Sequence, residues 1–183
     1  LPAPETPMTT YVMRTRTQWS RLTKRLLGPR ADTYLRIRRG GYAWDGTAVL
    51  FDLGGSGAYD TMSVASHEGW HQYTQNVFAE PLPVWLEEGV ATLMEGHRWK
   101  GARPVFRPWS NTERFDTLRR ARRDGTLQPL SDLLKANPAS LIREDDRATL
   151  TWYSQVWALA LYLTDHAPVQ IRLRLRRCRN CTP

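Results

Sequence analysis

His67-Glu68-Gly69-Trp70-His71 places two imidazoles four residues apart, with a carboxylate directly after the first. On an α-helix that spacing puts both rings on one face, one turn or about 5.4 Å apart along the axis. Two neutral nitrogen donors so placed can converge on one metal ion. Glu68 lies about 100° around the helix from His67, so its carboxylate can reach a metal-activated water without ligating the ion. Zinc hydrolases divide the work in this way: nitrogen ligands, an open coordination position and a carboxylate base. Histidine is scarce in this chain, with four in 183 residues, so composition alone does not account for the pair.

A catalytic zinc site needs a third protein ligand. The candidates follow in Pro83-Val84-Trp85-Leu86-Glu87-Glu88-Gly89-Val90-Ala91. The connection at Glu80-Pro81-Leu82-Pro83 is short, which favours antiparallel neighbouring helices. Glu87 and Glu88 differ by about 100° around the axis, so only one of them can face the ion. Glu88 shares a stripe with Val84, Ala91 and Glu95, and Glu87 shares one with Val90, Ala91 and Met94. Periodicity leaves the choice between them open. Asp60, Thr92 and Glu95 are candidates to accept from the second ring nitrogen of a metal-bound histidine.

The elements that must position these residues can be read in outline. Residues 1–10 are rich in Pro and Thr and read as a flexible lead-in. Residues 11–14 read as a short strand. Residues 17–27 space Trp19, Leu22, Leu26 and Leu27 helically, and Gly28-Pro29 ends that helix. Residues 33–38 alternate as a strand does, 40–46 reads as a turn, and 47–53 is a second strand. From residue 61 the pattern turns helical: 61–78, then 83 to about 96 with Pro83 at the first helical position, then 112–123, 130–136 and 147–165. Residues 101–111, with Pro104 and Pro108, read as a loop. The fold class expected is α+β, in one domain over 11–166, with 167–183 an irregular basic tail.

His67-Glu68-x-x-His71-Gln72 followed by Pro83-x-Trp85-Leu86-x-Glu88-Gly89-Val90-Ala91 resembles the gluzincin metallopeptidases, and most closely the bacterial peptidase MA-like domains. Gly40-Gly41-Tyr42 before the motif, and Tyr153, Trp157, Ala158 and Leu159 in the last helix, are similar to that family too. The resemblance spans roughly residues 10–166. It implies a zincin-like, thermolysin-like catalytic domain: a small N-terminal sheet, an active-site helix, a glutamate helix and a helical C-terminal part. It implies one catalytic Zn2+ held by His67, His71 and Glu88, with Glu68 as general base in the hydrolysis of a peptide bond. Gluzincins often supply a Tyr or His to the oxyanion; Tyr153 is the preferred candidate here and His166 the alternative. Zincins pair an extended peptide with an edge strand, and residues 47–53 are the expected edge. Sixteen residues separate His71 from Glu88, a shorter gap than is usual in the aminopeptidase N family. The Gly-x-Met-Glu-Asn stretch with which that family holds a free amino terminus is absent, so an exopeptidase does not follow by analogy.

Composition bounds the alternatives. Apolar residues at 41% and charged residues at 24% exclude a disordered, collagen-like or low-complexity chain. No run of about 18 apolar residues is present, so no transmembrane helix is expected. Leu1 in place of Met reads as a processed or trimmed end, compatible with an export signal already removed; the compartment is left open. The net charge is +8, carried by 26 Lys and Arg of which only Lys24, Lys100 and Lys135 are lysines. Nucleic-acid binders tend to interleave basic residues with Gly and aromatics or to mount them on a recognition helix; no such module is recognised here, so nucleic acid is not the expected partner. Cys178 and Cys181 form a single CxxC, too little for a disulfide framework or a complete zinc knuckle. Two alternatives to a peptidase remain: a zincin-fold binding module that no longer cleaves, and a basic nucleic-acid-binding domain whose HExxH is fortuitous.

Overall fold

The computed structural model describes residues 2–37, 40–54, 60–136 and 146–166. The basic tail with Cys178 and Cys181, and the Gly55–Gly57 part of the glycine loop, lie outside these. The class is α+β, with more helix than strand. The chain divides into two compact units, Pro4–Pro81 and Leu82 onward.

The first unit is built on a three-stranded sheet in the order β1 (Thr9–Met13), β3 (Thr47–Phe51), β2 (Gly41–Trp44). β1 runs parallel to β3 and β2 antiparallel to it. β3 is the most apolar strand, and Ala48, Val49 and Leu50 are fully buried. Helix α1 (Arg16–Leu27) starts in a reciprocal capping box between Thr15 and Gln18 and ends at Gly28, whose φ of 53° suits glycine. Its Trp19 is fully buried among Tyr42, Val49 and Phe51, and its indole N–H donates to the Val49 carbonyl at 3.1 Å. Helix α3 (Thr61–Val77) packs on β2 and β3.

Three expectations for this unit are corrected. Residues 31–34 form a short helix, α2 (Ala31–Tyr34), where strand alternation was expected over 33–38. Tyr34, Leu35 and Ile37 all pack on the Trp19 cluster, so the pattern serves one buried face of a turn. The segment 40–46 holds strand β2 and not only a turn. The turn itself is Asp45-Gly46, with φ of 49° and 67°, the positive pair that a tight two-residue hairpin needs. β1 takes in Thr9 and Thr10 from the expected lead-in.

The second unit is mainly helical. Helix α4 (Val84–Glu95), which Pro83 immediately precedes, and helix α5 (Thr112–Arg123) both pack on α7 (Asp146–Leu161). Gly89 makes the first of these contacts possible. A Cβ there would stand 3.0 Å from the Val156 carbonyl oxygen and 3.1 Å from Ala160 Cβ. Helix α6 (Leu130–Lys135) closes over Trp152, whose indole donates to the Leu133 carbonyl at 3.0 Å. A five-residue π-helical turn, Tyr162–His166, continues α7. The expected loop at 101–111 contains a strand: β4 (His97–Lys100) and β5 (Arg103–Phe106) form an antiparallel hairpin, followed by a 3-10 turn at Pro108–Ser110. No helix among the described residues is long and apolar enough to cross a membrane.

The polar centre of the second unit is Glu95, 2% exposed. Arg114 donates to both its oxygens, at 2.7 and 3.0 Å, and Asn111 Nδ2 donates to Oε2 at 2.7 Å. Removing one partner of a buried pair leaves an uncompensated charge. Arg114→Ala is therefore expected to lower stability by about 3–5 kcal/mol, and the double variant Glu95→Leu/Arg114→Met by clearly less. Urea unfolding of the two variants checks this ordering.

Candidate functional site

Helix α3 carries the HExxH motif. Asp60 caps its N-terminus, accepting from the Ser63 backbone N–H at 3.0 Å and from its hydroxyl at 3.3 Å. Asp52, just past β3, clamps the same end: its Oδ1 accepts from Thr61 Oγ1 at 2.6 Å and from the Gly54 N–H at 3.0 Å. These bonds, with Thr61 first, hold the Asp52 carboxyl below the usual value. Further along, Gln72 is 2% exposed and ties the helix to the sheet. Its Nε2 donates to the Thr9 and Gly46 carbonyls at 2.7 and 2.9 Å, and its Oε1 accepts from Thr10 Oγ1 at 3.1 Å.

On this fixed helix the two imidazoles do face each other. Their Nε2 atoms are 3.1 Å apart, with ring centroids at 4.9 Å. His67 is buried and His71 half-buried. Glu68 is buried at 7% exposure on the side toward β2, where Gly41 leaves room for it. A Cβ on Gly41 would lie 3.2 Å from Glu68 Cγ and 2.8 Å from both Leu50 Cβ and the Val49 carbonyl oxygen. Tyr34 is in the same neighbourhood. Burial raises its phenol above the ordinary value, Arg30 opposes the rise and the Glu68 carboxylate adds to it.

In the second unit, Glu87 and Glu88 sit in the first two turns of α4, both half-buried, each with its Oε2 shielded from solvent. Among the described residues one group could hold a metal ion: a ligand atom from each of His67, His71 and Glu88 lies within 4.8 Å of the others. Thr92 donates to the Gly89 carbonyl at 2.7 Å, and Glu95 is engaged by Arg114 and Asn111. Tyr153, half-buried on α7, packs against the Leu133–Trp152–Val156 cluster, with the Arg114 guanidinium 5.1 Å from its ring centroid. His166 ends the π turn and is exposed. His97 opens β4 with its Nδ1 3.0 Å from the Glu95 carbonyl oxygen. Trp70 and Trp157 are buried and Trp85 packs on the Trp152 cluster, so these indoles are core residues.

One site expectation is corrected. β3 is the central strand, paired on both sides, so its backbone cannot pair with an extended peptide. The edges of this sheet are β1 and β2. Several positioning residues were assigned no role from sequence: Gln72 and Gly41, which entered only through the resemblance, and Tyr34 and Arg114. Gln72 was the most legible of them, since it lies four residues after Glu68, on the same stripe. Compared with known proteins, the chain matches no family model, no curated protein and no solved structure.

Two outcomes follow from this geometry. Gly41→Ala is expected to cost about 1–3 kcal/mol through overpacking, measured by urea titration, because the clash is with a paired strand and with Glu68. Asp52 has a lowered folded pKa, so its contribution is present above the unfolded value and is lost as pH falls through the folded one. The melting temperature of the wild type should therefore drop more steeply on acidification through that window than that of Asp52→Asn.

Proposed function

We propose that the protein is a zinc-dependent peptidase of gluzincin type, with His67, His71 and Glu88 as ligands and a zincin-like fold. The observation that carries this reading is the grouping of those three donors within 4.8 Å. The donor set suits zinc: two imidazole nitrogens and one carboxylate oxygen leave a fourth position open. The spacing suits it as well. Tetrahedral zinc with Zn–N of about 2.0–2.1 Å sets nitrogen ligands about 3.3 Å apart, close to the 3.1 Å between the two Nε2 atoms. Glu88 meets this criterion and Glu87 does not belong to the group, which supports the choice that periodicity left open.

A bound zinc ion supplies the Lewis acid that polarises a carbonyl and acidifies a water. Glu68 takes the proton of the attacking water and returns it to the leaving amine. Its burial, with Gly41 packed against it, holds the carboxylate in one place for both transfers. Tyr153 donates its hydroxyl to the developing oxyanion. The stack of Arg114 on its ring, with Arg114 anchored by Glu95, fixes that side chain.

Elemental mass spectrometry of the purified chain is expected to find about one zinc per molecule, retained in Glu68→Gln and lost in His71→Ala and Glu88→Ala. Hydrolysis of a peptide library should disappear in Glu68→Gln. Tyr153→Phe should keep the metal and lose about 10²–10³ in kcat. Zinc kept by Glu88→Ala would refute the ligand set, and cleavage by Glu68→Gln would refute the base.

A further inference from the structure

A second surface, wholly within the unit that begins at Leu82, uses none of the proposed zinc ligands and neither Glu68 nor Tyr153. Residues 97–123 hold nine Lys and Arg against two acids, Glu113 and Asp116, a net +7 in a chain whose total is +8. The β4–β5 hairpin sorts these charges by face. His97 pairs with Phe106 and Arg98 with Val105, so side chains alternate between two sides. One side takes His97, Trp99 and Phe106, whose rings touch. The other takes Arg98, Lys100, Arg103 and Arg107. All four are exposed, and none has an ion-pair partner among the described residues.

Beside this basic face lies a concavity of about 330 Å³, lined by Arg98, Arg107, Trp109, Ser110, Thr112 and Phe115. Trp109 is 63% exposed and Phe115 51%. Large rings left this open on a rigid 3-10 turn and a helix are available for stacking. Ser110 Oγ is buried there and has no hydrogen-bond partner among the described residues, an uncommon state for a native hydroxyl. Asn111 caps α5 at the same place, accepting from the Arg114 N–H at 3.3 Å. Phe115, Arg119 and Arg122 then share one stripe of that helix and carry the positive surface away from the concavity.

We propose that this surface binds single-stranded nucleic acid, one nucleotide seated in the concavity. The base stacks on Trp109 and Phe115, Arg98 and Arg107 take the flanking phosphates, and the exposed Thr112 supplies a hydroxyl to the sugar or phosphate. Single-stranded binders combine these two parts, a cationic track and aromatic rings that meet unpaired base faces. A duplex hides those faces in its stack. An anionic bilayer supplies charge but no planar ring to fill a nucleotide-sized hollow.

The test is fluorescence anisotropy of a labelled 15-nucleotide oligo(dT) with the full chain, across a salt series, together with Trp109→Ala and the double variant Arg98→Ala/Arg107→Ala. All three side chains are exposed, and circular dichroism verifies the fold of each variant. Trp109→Ala is expected to weaken binding about ten-fold, within the range of one lost base stack. The double variant should weaken it further and flatten the slope of log K against log salt by about 1.4, at about 0.7 per phosphate contact for single strands. Unchanged affinity in Trp109→Ala would reduce the interaction to adsorption of a polyanion and overturn the proposal. So would preference for a duplex of equal length, or binding to phosphatidylglycerol vesicles with none to the oligonucleotide.

Discussion

Everything at the HExxH helix depends on the burial of Gln72. An amide taken out of water must find partners for its oxygen and both hydrogens, or cost several kcal/mol. Gln72 finds them on β1 and on the turn between β2 and β3. This sets the rotation of α3 about its own axis, because a small turn of the helix would break all three bonds together. With that rotation fixed, the Glu68 stripe faces the sheet, and His67 and His71 are presented side by side. The caps at Asp60 and Asp52–Thr61 fix the other end of the helix. Such a site needs little from its ligands' immediate neighbours, since the helix is held at both ends by groups outside the motif.

The second unit solves a similar problem with charge. Glu95 ends α4 in the interior, and a carboxylate there is tolerable only when its oxygens are saturated. Arg114 and Asn111 supply three donors from the start of α5. The register of α5 against α4 follows from that pair. Gly89 lets α7 approach α4 closely enough to bury Trp157 and Ala160. Tyr153, on the same α7, then comes under the Arg114 guanidinium. One buried ion pair thus orders two helices and the aromatic side chain that the proposed chemistry needs.

Much of this was legible in the sequence, and the misses share a cause. Helices α3, α4 and α5 carry long periodic patterns, and the spacing of His67, Glu68 and His71 is a property of the helix itself. Residues 33–38 are too short to distinguish two-fold alternation from one face of a helical turn. At Gly41 the glycine marks a strand crowded by its partner, not a reversal of direction, and only contact with Leu50 and Val49 shows this. Strand β5 was hidden by Pro104. Proline is compatible with a strand that has an open edge, and this two-stranded hairpin is all edge. Glu88 could be preferred to Glu87 only through resemblance, because the two differ by rotation about an axis whose orientation no local pattern sets.

The placement of the arginines carries the last step. A guanidinium is drawn inside only where a carboxylate repays its desolvation, and Arg114 has such a partner in Glu95. The hairpin cations have none among the described residues and are exposed to water, where mutual repulsion disfavours their company. Four like charges on one small hairpin face, next to open tryptophan and phenylalanine rings, therefore weaken the isolated fold. A polyanion reverses the sign of that contribution, since each phosphate it brings relieves the repulsion and releases counterions. The same reasoning does not apply to the carboxylates of α4 and the histidines of α3. Those groups are buried or half-buried, and Glu95 is matched by Arg114. The two surfaces thus answer to different physics: one to desolvation and fixed geometry, the other to long-range charge and stacking.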